Sequence, residues 1–98
     1  MTIEIKRNAA ETIIEAAGRL DTTTAPVLDK TINEDIEGTK NLVLDLKGIE
    51  YISSAGLRVL LSAQKKMQSL GSMKVKNVCE QVMEVFAMTG FADILEIE

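Results

Sequence analysis

The chain has 98 residues, of which 46% are hydrophobic and 27% charged, and its 11 basic and 15 acidic side chains give a net charge of −4. A chain of this length can bury one hydrophobic core, so we expect a single domain over residues 1–98 and exclude a separate catalytic domain. Neither sign of charge forms a block of five, so we expect no direct binding to nucleic acid or to an anionic membrane.

Histidine is absent and cysteine occurs once, at Cys79. This composition excludes histidine-based acid–base catalysis and zinc sites built from histidine and cysteine, so we expect no catalytic residue, no metal and no cofactor. Residues 1–7 alternate apolar and polar side chains, unlike a signal peptide, and no apolar run approaches the length of about 20 residues that spans a bilayer. A reducing, bacterial-type cytoplasm is therefore the expected location.

The chain opens with a pattern that predicts two paired strands. Residues 2–7 place Ile3 and Ile5 on one face and Glu4 and Lys6 on the other, as in a half-buried strand, and residues 12–17 resume an apolar pattern. The break at residues 8–11 has the length of a hairpin connection, although Asn-Ala-Ala-Glu lacks the Asn-Gly or Asp-Gly signal.

A helix is predicted to begin near Ala25. Aspartate and threonine residues that favour N-caps precede this position, and Pro26 suits the first helical turn. Apolar residues recur at spacings of three and four from Ala25 to Ile36. Gly38 is predicted to be the left-handed cap of this helix.

Strands and helices are predicted to alternate through the rest of the chain. Residues 41–46 form an almost continuous apolar run, which indicates a strand inside the sheet. A second helix is predicted from about Leu57 to Leu70, a strand over 73–78, a third helix over 80–89, and a final strand or helical turn over 94–97. This order predicts an α/β fold with right-handed parallel crossovers, made mixed by the opening hairpin, and leaves the strand order open.

Two adjacent serines, Ser53 and Ser54, lie where the central strand gives way to the second helix. Either serine could act simply as an N-cap, which stabilises a helix by about 1 kcal/mol. The alternative is a functional hydroxyl, because open α/β sheets place their sites at the carboxyl ends of strands. Gly56 would keep the second position beyond the serines free of a side chain.

The segment from Tyr51 to Leu61, Tyr-Ile-Ser-Ser-Ala-Gly-Leu-Arg-Val-Leu-Leu, resembles the signature of the STAS domain of anti-sigma factor antagonists. The segment Gly18-Arg19-Leu20-Asp21, followed by Thr24-Ala25-Pro26, is similar to a second marker of this family before its first helix. The resemblance implies a four- to five-stranded mixed sheet with three to four helices that opens with a β-hairpin. It covers essentially the whole chain.

The resemblance also implies a phosphorylation switch. In this family the unmodified antagonist binds an anti-sigma factor that is a serine kinase and so frees the sigma factor. Phosphoserine prevents this binding until a PP2C-type phosphatase removes the phosphate. The chain would thus be a binding module, not an enzyme, and a monomer or weak dimer is expected.

Ser54 is the preferred phosphorylation site, with Ser53 as the alternative. Ser53 stands where the family's best-known motif has an aspartate, and Ala55 replaces a second hydroxyl residue. The resemblance implies a surrounding surface that contains Asp21, Thr22, Thr23, Ser53, Ser54, Ala55, Gly56 and Arg58. Asp21 either orients the serine or is a plain turn residue, and Arg58, expected in the first turn of its helix, either meets an acidic or phosphate group or has no role.

Other interpretations stay open at this point. A stand-alone STAS subunit of a transport or lipid-trafficking complex would need no phosphorylated serine, and a nucleotide could bind beside Asp21 and Ser54. A small hydrolytic enzyme is disfavoured, since the chain lacks a Gly-rich phosphate loop. Cys79 is expected to be a buried apolar residue, and core positions are expected for Met67, Met73, Met83 and Met88.

Overall fold

The computed structural model describes residues 1–98 and contains four strands and four helices. In chain order they are β1 (Thr2–Asn8), β2 (Glu11–Leu20), α1 (Ala25–Asp35), β3 (Asn41–Ile52), α2 (Ser54–Leu70), β4 (Ser72–Lys76), α3 (Glu80–Thr89) and α4 (Phe91–Ile94). The strands form one sheet in the order β1-β2-β3-β4, in which β1 is antiparallel to β2 and the other pairs are parallel. The predicted mixed sheet with an opening hairpin is confirmed.

The hairpin closes without a glycine. Asn8 pairs with Glu11, and Ala9 takes the positive φ of 54° that the two-residue turn requires. The second strand also runs further than predicted and continues through Gly18 to Leu20. Its pairing with β3 shifts register twice, between Glu15 and Ala17 and between Gly18 and Arg19.

The first helix begins at Ala25, as predicted, but its predicted cap is wrong. The helix ends at Asp35, and Ile36 is its C-cap with right-handed backbone angles. Gly38 does have a left-handed φ of 79°, but it lies in the turn after the helix, which the Thr39 N–H closes by donating to the Ile36 carbonyl at 3.0 Å. The glycine therefore redirects the chain toward β3 rather than ending the helix.

Two strand ends also differ from the sequence interpretation. The third strand continues past residue 46 to Ile52, so it reaches the start of α2 directly. The fourth strand ends at Lys76, two residues earlier than predicted, and α3 covers the predicted residues 80–89. At the chain end the helical turn α4 covers Phe91–Ile94 and so precedes most of the predicted range 94–97, whereas Ile97 forms a parallel bridge with Val75, as the strand alternative predicts.

Twenty-two buried hydrophobic residues form one cluster on one face of the sheet. Leu42, Leu44 and Leu46 of β3 point into it, together with Val82 and Phe86 of α3. Alternate side chains on the strands point to the opposite face, which carries exposed and half-buried charged groups. The core therefore lies between the sheet and its helices, and the carboxyl ends of β2 and β3 meet at one edge of this core.

The buried positions predicted for the methionines and for Cys79 are only partly confirmed. Met67 and Met73 are fully buried, and Met83 is half-buried against the core. Met88 is 86% exposed, so its predicted core position is wrong. Cys79 is half-buried at the start of α3 and packs against the core without being enclosed by it.

Candidate functional site

The candidate site is built where β2 and β3 end side by side. Leu20 pairs with Ile52 as the last residue of each strand, and the Ser53 N–H donates to the Leu20 carbonyl at 2.8 Å. This bond fixes the start of α2 next to the segment that follows β2. We call that segment, residues 21–24, the Asp21 loop.

Ser53 and Ser54 have different environments. Ser53 is the N-cap of α2, and its hydroxyl oxygen accepts a hydrogen bond from the Gly56 N–H at 3.4 Å. Ser54 is the first residue of the helix, its side chain is exposed, and its hydroxyl makes no hydrogen bond within the chain. Ser53 is therefore occupied with capping, whereas the Ser54 hydroxyl is free to react or to contact another molecule.

The carboxylate of Asp21 is used inside its own loop. Asp21 Oδ1 accepts hydrogen bonds from the Thr23 hydroxyl at 2.8 Å, the Thr23 N–H at 3.1 Å and the Thr24 N–H at 3.2 Å. The Thr23 hydroxyl and then the Thr24 N–H are the main groups that hold the pKa of Asp21 below its usual value. Asp21 makes no hydrogen bond to either serine, so it acts as a turn residue that shapes the loop.

Thr24 closes the same loop from the other side. Its hydroxyl donates to the Arg19 carbonyl at 2.6 Å and accepts from the Asp21 N–H at 2.8 Å. These bonds leave Thr22 and Thr23 exposed at the tip of the loop. The loop thus presents two threonines to solvent beside the start of α2.

Gly56 and Ala55 lie beneath the surface. Gly56 is buried, and a Cβ at this position would come within 2.7 Å of Leu20 Cγ and 2.8 Å of Ile52 Cγ1. Ala55 is half-buried against the core. Gly56 therefore allows the first turn of α2 to lie on the ends of the two strands, and it supports the candidate surface without being part of it.

Arg58 lies outside the first turn of its helix. The helix begins at Ser54 rather than near Leu57, so the expected conflict between Arg58 and the helix dipole is weaker than predicted. Arg58 is exposed, forms no salt bridge, and follows Ser54 by four residues on the same side of the helix.

Arg19 and Tyr51 also lie beside the site, although no sequence pattern predicts them as site residues. The guanidinium carbon of Arg19 lies 4.1 Å from the centroid of the Tyr51 ring, and Arg19 Nε lies 3.8 Å from Asp21 Oδ2. Both side chains are exposed next to the Asp21 loop. An exposed aromatic ring and an arginine are the side chains most enriched at the energetic centres of protein interfaces, and this composition was the signal available in the sequence.

No three histidine, cysteine, aspartate or glutamate side chains are grouped so that they could hold a metal ion. None of the helices combines the length and the apolar character that a membrane span requires. The side chains exposed around the site are those of Thr22, Thr23 and Ser54, two arginines and one aromatic ring.

Both the sequence and the fold are similar to those of known proteins. Residues 2–98 match the STAS domain family. The anti-sigma-B factor antagonist of Bacillus subtilis is 31% identical over 98 residues, which cover 99% of this chain and 90% of that protein. The chain thus has the STAS class of fold. The family match and the 31% identical relative show that it belongs to the STAS-domain family of anti-sigma factor antagonists.

Solved structures share the same architecture. An anti-sigma factor antagonist from Mycobacterium paratuberculosis superposes with a TM-score of 0.89 at 22% identity, covering 98% of this chain and 83% of that one. The unphosphorylated form of the anti-sigma factor antagonist SpoIIAA gives a TM-score of 0.85 at 15% identity, and the phosphorylated form from Bacillus gives 0.77 at 14%. These alignments cover 99% of this chain and 88% and 91% of the SpoIIAA chains. At these identities the superpositions show a shared fold.

Proposed function

We propose that this chain is an anti-sigma factor antagonist that is switched off by phosphorylation of Ser54. In its unmodified form it binds an anti-sigma factor and so releases the sigma factor. One observation carries the assignment of the serine: Ser54 is the exposed first residue of α2 with a free hydroxyl, whereas the Ser53 hydroxyl caps the helix. The name of the 31% identical relative from Bacillus subtilis supports the antagonist function.

The position of Ser54 suits a switch that changes binding but preserves the fold. A phosphoserine carries a charge of about −1.5 to −2 at neutral pH. At the N-terminus of a helix this charge is favoured by the helix dipole and by free backbone N–H groups. At a protein interface the same charge must lose its water, which costs several kcal/mol unless the partner supplies a cation.

The contact surface that we propose consists of exposed groups around Ser54. The Asp21 loop supplies Thr22 and Thr23, and α2 supplies Arg58 one turn after the serine. The stacked pair of Arg19 and Tyr51 lies beside the loop and adds an aromatic anchor.

The partners in this proposal are a kinase-type anti-sigma factor that phosphorylates Ser54 and a PP2C-type phosphatase that removes the phosphate. The chain is the substrate of both enzymes and performs no catalysis itself. All three proteins would meet in the cytoplasm, where the sigma factor acts. The exposed side of Ser54 gives each enzyme access to the hydroxyl without unfolding α2.

Phosphorylation by the kinase-type anti-sigma factor of the same genome tests this proposal. With ATP, the parent chain should gain one phosphate, and tandem mass spectrometry should place it on Ser54. Ser54→Ala should gain none. The matched control, Ser53→Ala, should still be phosphorylated although loss of its cap destabilises the helix by about 1 kcal/mol.

Two results would contradict the proposal in different ways. Stoichiometric phosphorylation of Ser54→Ala on Ser53 would show that the capping serine is the phosphorylation site. No labelling of the parent chain by a kinase that is shown to be active on another substrate would remove the phosphorylation switch. That second result would favour a STAS subunit of a transport or lipid-trafficking complex.

A further inference from the structure

The two edge strands of the sheet, β4 and β1, differ in how far other parts of the chain cover their outer backbone groups. At the outer edge of β4, the Val75 N–H donates to the Glu96 carbonyl at 2.8 Å, and the Glu98 N–H donates to the Val75 carbonyl at 2.9 Å. The chain end therefore covers part of this edge. The outer edge of β1, seven residues from Thr2 to Asn8, has no strand beside it, and near its end the Arg7 guanidinium donates to the Glu37 carbonyl at 3.0 Å.

The uncovered edge also exposes an apolar side chain. Ile5 is 41% exposed although it pairs with Ile14, a core residue that is only 1% exposed. Ile5 thus lies on the core face of the sheet, at a position where no further strand continues the apolar surface.

Glu4 lacks a partner of opposite charge within the chain. It stands directly opposite Glu15 of β2, and like charges at directly opposed positions of a sheet are unfavourable. Lys6 is 3.4 Å from Glu15 and is paired with it, whereas Glu4 forms no salt bridge. A cation placed on the outer side of β1 would compensate Glu4.

We propose that two copies of this chain pair through β1, antiparallel and with Ile5 opposite the partner's Ile5. In this register Glu4 faces the partner's Lys6, and Lys6 faces the partner's Glu4. The pairing joins two four-stranded sheets into one continuous sheet, buries both Ile5 side chains and gives each Glu4 a cation.

The backbone is compatible with this register. In an antiparallel edge strand, alternate residues direct their N–H and C=O groups outward. With a twofold axis at Ile5, a residue that precedes Ile5 in one copy lies opposite the residue that follows Ile5 by the same number of positions in the other copy. Every residue with outward groups therefore meets another residue with outward groups, and the ladder can form without a bulge.

The order of charges selects this register over its neighbours. Charged side chains at a sheet edge commonly prevent pairing with other chains, and Glu4, Lys6 and Arg7 would be expected to do so. Here Glu4 and Lys6 have opposite signs and flank Ile5. A twofold axis at Glu4 would place two glutamates opposite each other, and an axis at Lys6 would place two lysines opposite each other, so only the axis at Ile5 pairs opposite charges.

Charge exchange tests the proposal with the chain alone. By sedimentation equilibrium, the parent should dimerise with a dissociation constant below about 1 mM. Glu4→Lys and Lys6→Glu should each weaken the dimer about tenfold, because two attractive pairs become two repulsive ones. The double exchange, Glu4→Lys with Lys6→Glu, should restore the parent dissociation constant, since both pairs regain opposite charges.

An equimolar mixture of the two single variants gives a second test. One variant then presents two lysines to two glutamates of the other, so the mixture should form a heterodimer that is tighter than either homodimer. Lys30→Glu, a charge reversal on an exposed residue of α1, should leave self-association unchanged. Thermal unfolding of each variant establishes that the compared proteins are folded.

Each contrary result overturns the proposal. A parent chain that stays monomeric at about 1 mM excludes a β1 dimer of useful strength. If the parent dimerises but the double exchange does not restore the parent dissociation constant, the dimer must use another surface. Amide hydrogen exchange locates that surface, since the proposal requires concentration-dependent protection in β1 and none in α2. These results do not depend on phosphorylation of Ser54.

Discussion

The guanidinium group of Arg19 stacks on the ring of Tyr51, with 4.1 Å between the guanidinium carbon and the ring centroid. Because both side chains are exposed, their interaction should stabilise the fold by about 0.5–1 kcal/mol. We predict a coupling energy of this size in a double-mutant cycle of Arg19→Ala and Tyr51→Ala, measured by urea unfolding.

The Tyr51→Phe variant is the control for this cycle. Phenylalanine keeps the aromatic face, so the coupling to Arg19 should persist in part. Additive effects of the two alanine substitutions would show that the stack contributes nothing. A coupling that disappears in Tyr51→Phe would assign the interaction to the hydroxyl group instead of the ring.

The stack illustrates which parts of the site the sequence could predict. The serines were found because a strand end, a cap residue and a helix start are local patterns. The pairing of Arg19 with Tyr51 depends on the register between β2 and β3, which shifts twice before it reaches these residues. No local pattern specifies how many positions such shifts add, so the two side chains could not be matched from the sequence.

The difference between local sequence patterns and contacts between distant residues also explains where the sequence-based prediction of the fold is wrong. The hairpin and the three longer helices have periodic patterns and the central strand has an almost continuous apolar run, and the structure contains each of them. The sequence predicts a helix end at Gly38 because it is the first glycine after the apolar pattern, but Ile36 already caps the helix. The sequence predicts that Gly56 frees the surface around the serines, whereas its role depends on Leu20, which is distant in sequence and packs against it.

The Asp21 loop should make stability depend on pH in acid. Hydrogen bonds from the Thr23 hydroxyl and the Thr24 N–H lower the pKa of Asp21 in the folded chain. Its stabilising contribution is therefore complete above the pKa of the unfolded chain, near 3.8, and is lost as pH falls through the lower folded value. Asp21→Asn should be less stable than the parent at neutral pH, and the difference should shrink in acid.

Thermal unfolding between neutral pH and strongly acidic pH measures this effect. Asparagine keeps the acceptor oxygen but removes the charge, so the comparison isolates ionisation from hydrogen bonding. Glu34→Gln, an exposed substitution on α1 without a salt bridge, is the matched control and should change the acid profile little. An Asp21→Asn variant with the same acid profile as the parent would contradict the role of the loop carboxylate.

Gly71 is required by a close approach of two chain segments. A Cβ at this position would lie 1.9 Å from the carbonyl oxygen of Lys40, and that oxygen accepts a hydrogen bond from the Ser72 N–H at 2.8 Å. Backbone must move to admit the methyl group, so Gly71→Ala should reduce the free energy of unfolding by about 2 kcal/mol or more. The corresponding fall in Tm is about 8–16 °C.

Calorimetry of Gly71→Ala beside Ser69→Ala tests this prediction. Ser69 is exposed in the last turn of the same helix, and its replacement should change stability by about 0.5 kcal/mol or less. Equal melting temperatures for the two variants would show that the turn between α2 and β4 adjusts freely to a side chain at position 71.

Ser54→Asp should separate binding from folding. Aspartate at the first position of α2 is favoured by the helix dipole, so the free energy of unfolding should change by less than about 1 kcal/mol and should not fall sharply. At the proposed interface the carboxylate must be desolvated against a surface that fits a hydroxyl. Burial of an unpaired charge costs several kcal/mol, which corresponds to a loss of affinity of about a hundredfold or more for the anti-sigma factor.

Calorimetric titration with the anti-sigma factor, together with thermal unfolding, measures both quantities on the same samples. Ser69→Asp is the matched control, because it adds the same charge to an exposed position about 22 Å further along the helix and should leave binding close to that of the parent. If Ser54→Asp binds as tightly as the parent, Ser54 lies outside the contact surface. If both aspartate variants lose affinity equally, total charge rather than the position of Ser54 controls binding, and the phosphate would act by long-range repulsion.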